Sequence, residues 1–594
     1  MLLSNHFIKS FFIATLCFLT LSISIISNDT SNSISIIKDI PKEYSAISFF
    51  SYCFIFYIVF SRIKISKFVY IISTIIAAII LIGDSFYSFN SFRGISYNLK
   101  TGLIFAGKLL VLSYLIGGLV VIIRDKIKEK TDLIELQKIS FWKILGIILL
   151  LWLPFLIFFF PGTPTWDGLA MLNSGYGIWP PNDHHPYLLS VFFAKVISLR
   201  DYVGDFFAFG LLTLILFIFQ IVNYSLSCYI LCKVNLTDRA FPWYFAPLFI
   251  GIVPLFPLYG QSLMKDGPYA SCFVLFCSLL FYFLFAKSNL ANWKPWLLLL
   301  YSSISLCIIR HNGLYVVAPT LTLLLLYFYL IKSKNLIPTC IILISAISFI
   351  SFVHSSLYPS LNVTPAAKRE TFGIMGQMIG RAILENSTKL TISQSEKLKE
   401  IIPEYKKIPQ EYNPELYDPV KHLINHNASA KDFFILTTNL CRSFPKSCLK
   451  GFINHVYLYF YPFANNRVMA PFYYWIETGS PNTKYFKLDY FFKDKVRNII
   501  VKYSYYWVNN MPLSLLSRPS ITSILCLLIL ILAFVKKNLR IFLTVFPISI
   551  SLLINLLSPV NGDFRYTLPI LACFPLLIAL LTILLQPNKS SSSN

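Results

Sequence analysis

Carboxylates are scarce in the apolar part of this chain, so the places where they occur carry information. The run Pro161-Gly162-Thr163-Pro164-Thr165-Trp166-Asp167-Gly168 sets Asp167 just beyond an apolar stretch, behind two prolines and a tryptophan. A carboxylate held on a stiff turn at a membrane edge can take a proton from a hydroxyl or bind a cation. Its plainer role is the N-cap of a helix starting at Gly168. Next comes Asn182-Asp183-His184-His185-Pro186. On an extended segment the two rings point to opposite sides, which disfavours a shared metal and favours a hydrogen bond from one of them to a sugar or phosphate. Three more polar clusters follow: Lys265-Asp266, Arg310-His311-Asn312-Gly313, and Asn561-Gly562-Asp563-Phe564-Arg565-Tyr566. Each alone could be a cap or a cation reaching out of an apolar helix.

The elements that must position these residues follow from composition. Of 594 residues, 56% are hydrophobic, 16% aromatic and only 13% charged. A soluble chain of this length needs about twice that charge, and the apolar content excludes disorder. Apolar runs of about 17–25 residues recur along the chain, and about 14 of them read as membrane-spanning helices. They fall at 8–27, 46–61, 68–86, 102–123, 141–160, 205–231, 240–258, 267–286, 293–309, 312–331, 338–354, 519–535, 541–557 and 565–586. The short apolar run 187–199 follows Pro186 and is expected to lie along the interface.

The net charge is +24, from 51 Lys and Arg against 27 Asp and Glu. The basic residues gather in alternate loops, as the positive-inside rule requires, so nucleic acid is not an expected partner. This pattern puts both termini in the cytoplasm. Asp167, Asp183, Lys265, Asp266, Arg310 and Arg565 then share the opposite side, with every histidine except His6. An ion pathway would spread its charges through the depth of the membrane; here they collect at one surface. A lipid-linked phosphate substrate needs such a surface, because its head group sits at the interface while its tail stays in the bilayer. Cations can hold the phosphate, and a carboxylate can deprotonate an acceptor hydroxyl.

These motifs resemble those of the GT-C superfamily of polytopic membrane glycosyltransferases, in a poorly characterised bacterial branch that uses polyprenyl-phosphate sugars. The resemblance covers roughly 140–590. It rests on the Pro161-Gly162…Asp167 turn, the 182–186 run, Lys265-Asp266, Arg310-His311-Asn312-Gly313 and Arg565-Tyr566…Pro569. It extends weakly to Gln377…Arg381 and Asp418-Pro419-Val420-Lys421. It implies an all-α, GT-C-like fold in a bacterial plasma membrane, with the active site outside the cytoplasm. Asp167 would be the catalytic base, with Asp266 or Asp183 as the second acid. Asp183, His184, His185, Lys265, Arg310, His311, Asn312, Arg565 and Tyr566 would bind substrate. A divalent cation (Mg or Mn), if one is used, would sit at Asp167 and Asp266. The donor would be a polyprenyl-phosphate-linked sugar and the acceptor a glycolipid or surface glycan. The competing readings are a lipid or glycan flippase, expected to carry ionisable groups at mid-bilayer, and an O-antigen-type polymerase, expected to carry its key arginines in its large outer loop.

Four regions are expected: an N-terminal four-span region (1–140), a transmembrane catalytic core (141–354), an extracytoplasmic insertion (355–518), and a three-span C-terminal region with a tail (519–594). The insertion is expected to be mainly helical, with Ala366 to Glu385 and Gln394 to Ile402 as helices and 452–475 and 485–510 on the bilayer surface. Cys441 and Cys448 can form a disulfide if the chain turns back near Pro445. His422 and His426 have helix-face spacing for a metal but no evident third ligand.

Overall fold

A backbone inside a bilayer has only itself to hydrogen-bond with, so apolar runs of this length should be helices. The computed structural model describes residues 67–95, 99–128, 139–234, 243–286, 293–463, 485–510 and 513–585. The spans expected at 8–27 and 46–61 and the C-terminal tail lie outside these residues. In chain order the main elements are α1 (Lys67–Phe89), α2 (Leu99–Lys128), α3 (Phe141–Phe158), β1 (Thr163–Pro164), α4 (Trp166–Gly175), α5 (Tyr187–Ile197) and α6 (Arg200–Lys233). They continue with α7 (Phe245–Ile252), α8 (Leu255–Gly260), β2 (Ser262–Leu263), α9 (Asp266–Phe285), α10 (Lys294–Ile309), α11 (Asn312–Leu330) and α12 (Leu336–Phe352). The insertion contributes α13 (Gly373–Asn386), α14 (Ile392–Ile401), α15 (Ala430–Ser443), α16 (Pro445–Val456) and α17 (Asp494–Asn509). The chain closes with α18 (Pro519–Val535), α19 (Leu539–Leu556), α20 (Phe564–Ala572) and α21 (Phe574–Leu585). The fold is therefore all-α, and β1 and β2 are the only paired strands among the described residues.

Seven of these helices are long and apolar enough to cross a membrane: α1, α3, α6, α9, α11, α12 with its continuation to Ser360, and α19. The pair α20 and α21, bent by 46°, makes an eighth if taken as one span. Shorter apolar stretches lie in α2, α5, α10 and α18. The run 240–258 is not one span but two short helices, α7 and α8. Val253, which precedes Pro254, is extended (φ −64°, ψ 114°), because a proline ring clashes with a helical residue before it.

Helix α9 is buried almost throughout and packs against α6, α10, α19 and α20. Its apolar contacts on every side explain why its sequence shows no polar face. Within the insertion, Phe372, Ile379, Ile383, Leu398, Phe433 and Leu440 belong to a separate core. Thr391 and Gln394 form a reciprocal capping box at the start of α14, which fixes where that helix begins. Cys441 and Cys448 are joined by a disulfide. Further along, Phe486, Ile500, Trp507 and Val508 join the core of the apolar helices instead. His422 lies in the short helix Asp418–Leu423, which stops before His426, so the two do not share a helix face.

The insertion also grips the loop between α19 and α20. Leu416 pairs with Val560, the Tyr417 N–H donates to the Pro559 carbonyl at 2.8 Å, and the Asn561 N–H donates to the Glu415 carbonyl at 3.0 Å. Gly562 turns there at φ +62°, where a side chain would strain the backbone. This loop delivers Asp563 and Arg565.

Candidate functional site

Two very short strands place the two principal acids. Thr163 pairs with Ser262 and Pro164 with Leu263, in parallel, and each strand leads directly into a helix. The Thr165 hydroxyl accepts from the Gly168 N–H at 3.2 Å, so Thr165, not Asp167, is the N-cap of α4. Asp167 lies in the first turn of α4, and Asp266 is the first residue of α9. Both sit where free backbone N–H groups favour negative charge. Close packing requires a glycine after each acid. A Cβ on Gly168 would fall 1.9 Å from the Leu263 carbonyl oxygen, and one on Gly267 would fall 2.5 Å from Gln220 Oε1. Upstream, Gly162 has φ +111°, and a Cβ there would fall 1.9 Å from Thr213 Oγ1. That hydroxyl donates to the Pro161 carbonyl at 2.7 Å, which ties the turn to α6.

Each acid has its own arginine. Arg565 Nη1 lies 2.8 Å from Asp167 Oδ2, and Arg565 Nε lies 3.2 Å from Asp563 Oδ2. Arg310 Nη1 lies 3.1 Å from Asp266 Oδ1. Tyr566 links the two pairs. Its hydroxyl accepts from Arg565 Nη2 at 2.7 Å, and its ring centre is 4.7 Å from the Arg565 guanidinium carbon and 5.3 Å from that of Arg310. Tyr269 holds Arg310 from its own ring, also at 5.3 Å. The result is a continuous row, Asp167–Arg565–Tyr566–Arg310–Asp266, drawn from segments far apart in the chain. Burial alone would push the Asp167 carboxyl up, but the Arg565 guanidinium, with the Lys265 ammonium nearby, holds it well below the usual carboxylate range. Asp563 is instead raised by burial.

Lys265 extends this row. Its Nζ lies 2.6 Å from His185 Nδ1. Burial pushes Lys265 down to about 8, against the pull of Asp167 and Asp266, and burial also keeps His185 well below its ordinary value. A neutral His185 that accepts the lysine proton at Nδ1 carries its own proton on Nε2, where it can be donated. The His184 and His185 rings are in edge contact, with centroids 4.7 Å apart, rather than pointing to opposite sides. The reason is local: the His184 N–H donates to Asn182 Oδ1 at 3.2 Å, a side-chain turn that removes the extended conformation.

Asp183 has other partners. Its N–H donates to the Thr364 carbonyl at 2.8 Å, and its carboxylate lies near His311 and His354. Burial raises Asp183 to about 6 and lowers His311 to about 4. Asn312 opens α11 beside His311. Gln377 and Asp418 lie in the insertion, where Gln377 donates to the Asn413 carbonyl at 2.9 Å and Asp418 pairs with Lys421 at 2.6 Å. Asp563, Tyr269 and His354 also reach these groups, although their positions in the sequence do not single them out. Asp563 belongs to the 561–566 polar cluster, but Tyr269 and His354 lie within apolar stretches and carry no local signal.

Residues 178–593 match a family of unknown function, DUF6020. The chain belongs to the DUF6020 family. The DUF6020 match includes Asp183, Lys265, Asp266, Arg310 and Arg565, while the β1 turn and Asp167 precede it. No curated protein and no solved structure matches the chain.

Proposed function

We propose that this DUF6020 protein is a membrane glycosyltransferase that moves a sugar from a polyprenyl-phosphate donor to a glycolipid or surface glycan. The observation that carries the reading is the row Asp167–Arg565–Tyr566–Arg310–Asp266 with Lys265 beside it. It gathers two carboxylates and three cations at the starts of apolar helices. A phosphate at the end of a lipid chain has the charge to match those cations, and its tail has the adjoining apolar surface.

With Arg565 bound to it, Asp167 is a weak base. A donor phosphate competes for Arg565 and would draw the guanidinium from the carboxylate. The Asp167 carboxyl then rises towards its usual range and can take the proton of the acceptor hydroxyl. That oxygen attacks the anomeric carbon as the bond to the phosphate oxygen breaks. The departing phosphate keeps the electron pair, and Lys265, Arg310 and Arg565 stabilise it. A single displacement inverts the anomeric centre. In this reading the site faces away from the cytoplasm in a bacterial plasma membrane. Each principal acid already has an arginine as counter-ion, so this mechanism uses no cation between Asp167 and Asp266.

The test is transfer of label from radioactive polyprenyl-phosphate sugars to membrane lipid extract, comparing wild type with Asp167→Asn. Transfer by wild type alone supports the reading. Equal transfer by the variant overturns Asp167 as the base, and no transfer from any donor, together with lipid scrambling in vesicles, overturns the transferase reading in favour of a flippase.

A further inference from the structure

We infer that Asp183, His311 and His354 form a zinc site separate from the row of acids and arginines. One ligand atom from each of the three residues lies within 4.8 Å of the others. His311 Nε2 is 3.6 Å from Asp183 Oδ1, and His354 Nδ1 is 3.7 Å from Asp183 Oδ2. These distances exceed a histidine–carboxylate hydrogen bond, which is about 2.7–2.9 Å. They lie close to the separation of about 3.3–3.5 Å between two ligands of one tetrahedral zinc ion. Asp183 is buried, and its Oδ1 has no hydrogen-bond partner. A buried carboxylate oxygen left without a donor is costly unless something else satisfies it.

The surroundings are those of a ligand set. The Tyr187 N–H and the Tyr358 hydroxyl lie close to the Asp183 carboxylate, where they can orient it as outer-shell groups do for metal ligands. The His354 ring rests edge-on against Tyr358, with centroids 5.0 Å apart. His354 also lies in a single π-helical turn, Val353–Leu357, an interruption that is frequent at functional sites. Two imidazoles and one carboxylate favour zinc over magnesium or calcium. His311 and His354 are 36% and 47% exposed, which leaves a fourth position open to water. His311 Nε2 also lies 2.9 Å from the Asp183 carbonyl. Without metal that nitrogen can donate there, and zinc binding releases its proton to solvent.

The ion would join three segments: the loop that carries His184 and His185, the α10–α11 junction next to Arg310, and the end of α12. The full-length protein in detergent, stripped with EDTA and re-exposed to zinc, is expected to retain about one zinc per chain. His354→Ala and Asp183→Asn should each lose it while eluting as wild type does on size exclusion. The cobalt-loaded wild type should show visible d–d absorption that both variants lack. Zinc content unchanged by His354→Ala, or no retention by wild type, overturns the site. Neither result depends on sugar transfer.

Discussion

Asp167 and Asp266 hold equivalent places in two copies of one local arrangement. Each lies four residues beyond a member of the paired residues Thr163 and Ser262, in the first turn of a helix, and each precedes a glycine that packs too closely to admit a side chain. The pairing therefore sets both acids in one register, and the arginines reach them from elsewhere in the chain.

Arg565 should matter more than any single neighbour of Asp167. Arg565→Ala removes the charge that holds Asp167 low and one of the cations proposed to meet the leaving phosphate. Transfer should fall by about 10²–10³, the cost of losing one strong charge-stabilising donor, and Arg565→Lys should restore only part of it, because a lysine cannot span Asp167 and Asp563 together. Steady-state transfer rates for the two variants check this.

Lys265 makes the proposed reaction pH-sensitive. It is protonated below about 8, so donor binding should be full under mildly acidic conditions and weaken as pH rises through that value. Stability should move the other way. Between about 8 and the ordinary lysine value of 10.5 the unfolded chain holds a proton that the folded chain has lost, so this group's contribution to stability rises with pH in that window. Donor affinity measured across pH for wild type and Lys265→Arg tests the assignment; the arginine variant should lose the decline.

Gly168→Ala should damage the site without touching a charged group. The new methyl would sit 1.9 Å from the Leu263 carbonyl, so α4 must move off β2. The expected cost is about 1–3 kcal/mol, typical of overpacking, seen as a lower midpoint in thermal unfolding, with loss of transfer beyond what that drop explains.

A buried ion pair joins α1 and α2. Lys108 Nζ lies 2.8 Å from Asp84 Oδ2, both almost fully buried, and Tyr461 donates to the same carboxylate. Lys108→Met strands a buried charge and should cost about 3–5 kcal/mol, whereas Asp84→Leu combined with Lys108→Met should be far milder. Unfolding of the single and double variants in detergent separates the two outcomes.

Breaking the Cys441–Cys448 disulfide should loosen the insertion more than the apolar helices. The bridge spans a sequence separation of 7, and closing so short a loop contributes about 2 kcal/mol in the chain-entropy account. Limited proteolysis of Cys441→Ser with Cys448→Ser should cut first within 430–456, where α15 and α16 pack on α13.

The apolar helices were legible because hydropathy and length alone define them, and the acids and cations were legible because such residues are rare there. What the sequence hid was pairing. Two residues per strand are too few to show alternation, so β1 and β2 left no trace, although Asp-Gly occurs once after each. The break between α7 and α8 was readable at Pro254, but the apolar run across it outweighed that signal. Asp183 looked like a neighbour of His184. Its backbone bond to Thr364 points it at His311 and His354, a contact made through the insertion that no local pattern records.

The row of charges also has an order in time. Asp167 and Asp266 are synthesised early, and β1 can meet β2 only after α6, α7 and α8 are in place. Arg565 follows nearly three hundred residues after Asp266, at the start of the last bent pair of helices. A nascent chain thus carries its acids without the arginine that restrains Asp167, and a chain stopped before α20 never acquires it. Helix α20 thus completes the charge balance of a site begun at α4 and α9, so a product truncated before α20 should fail in transfer however well its earlier helices insert.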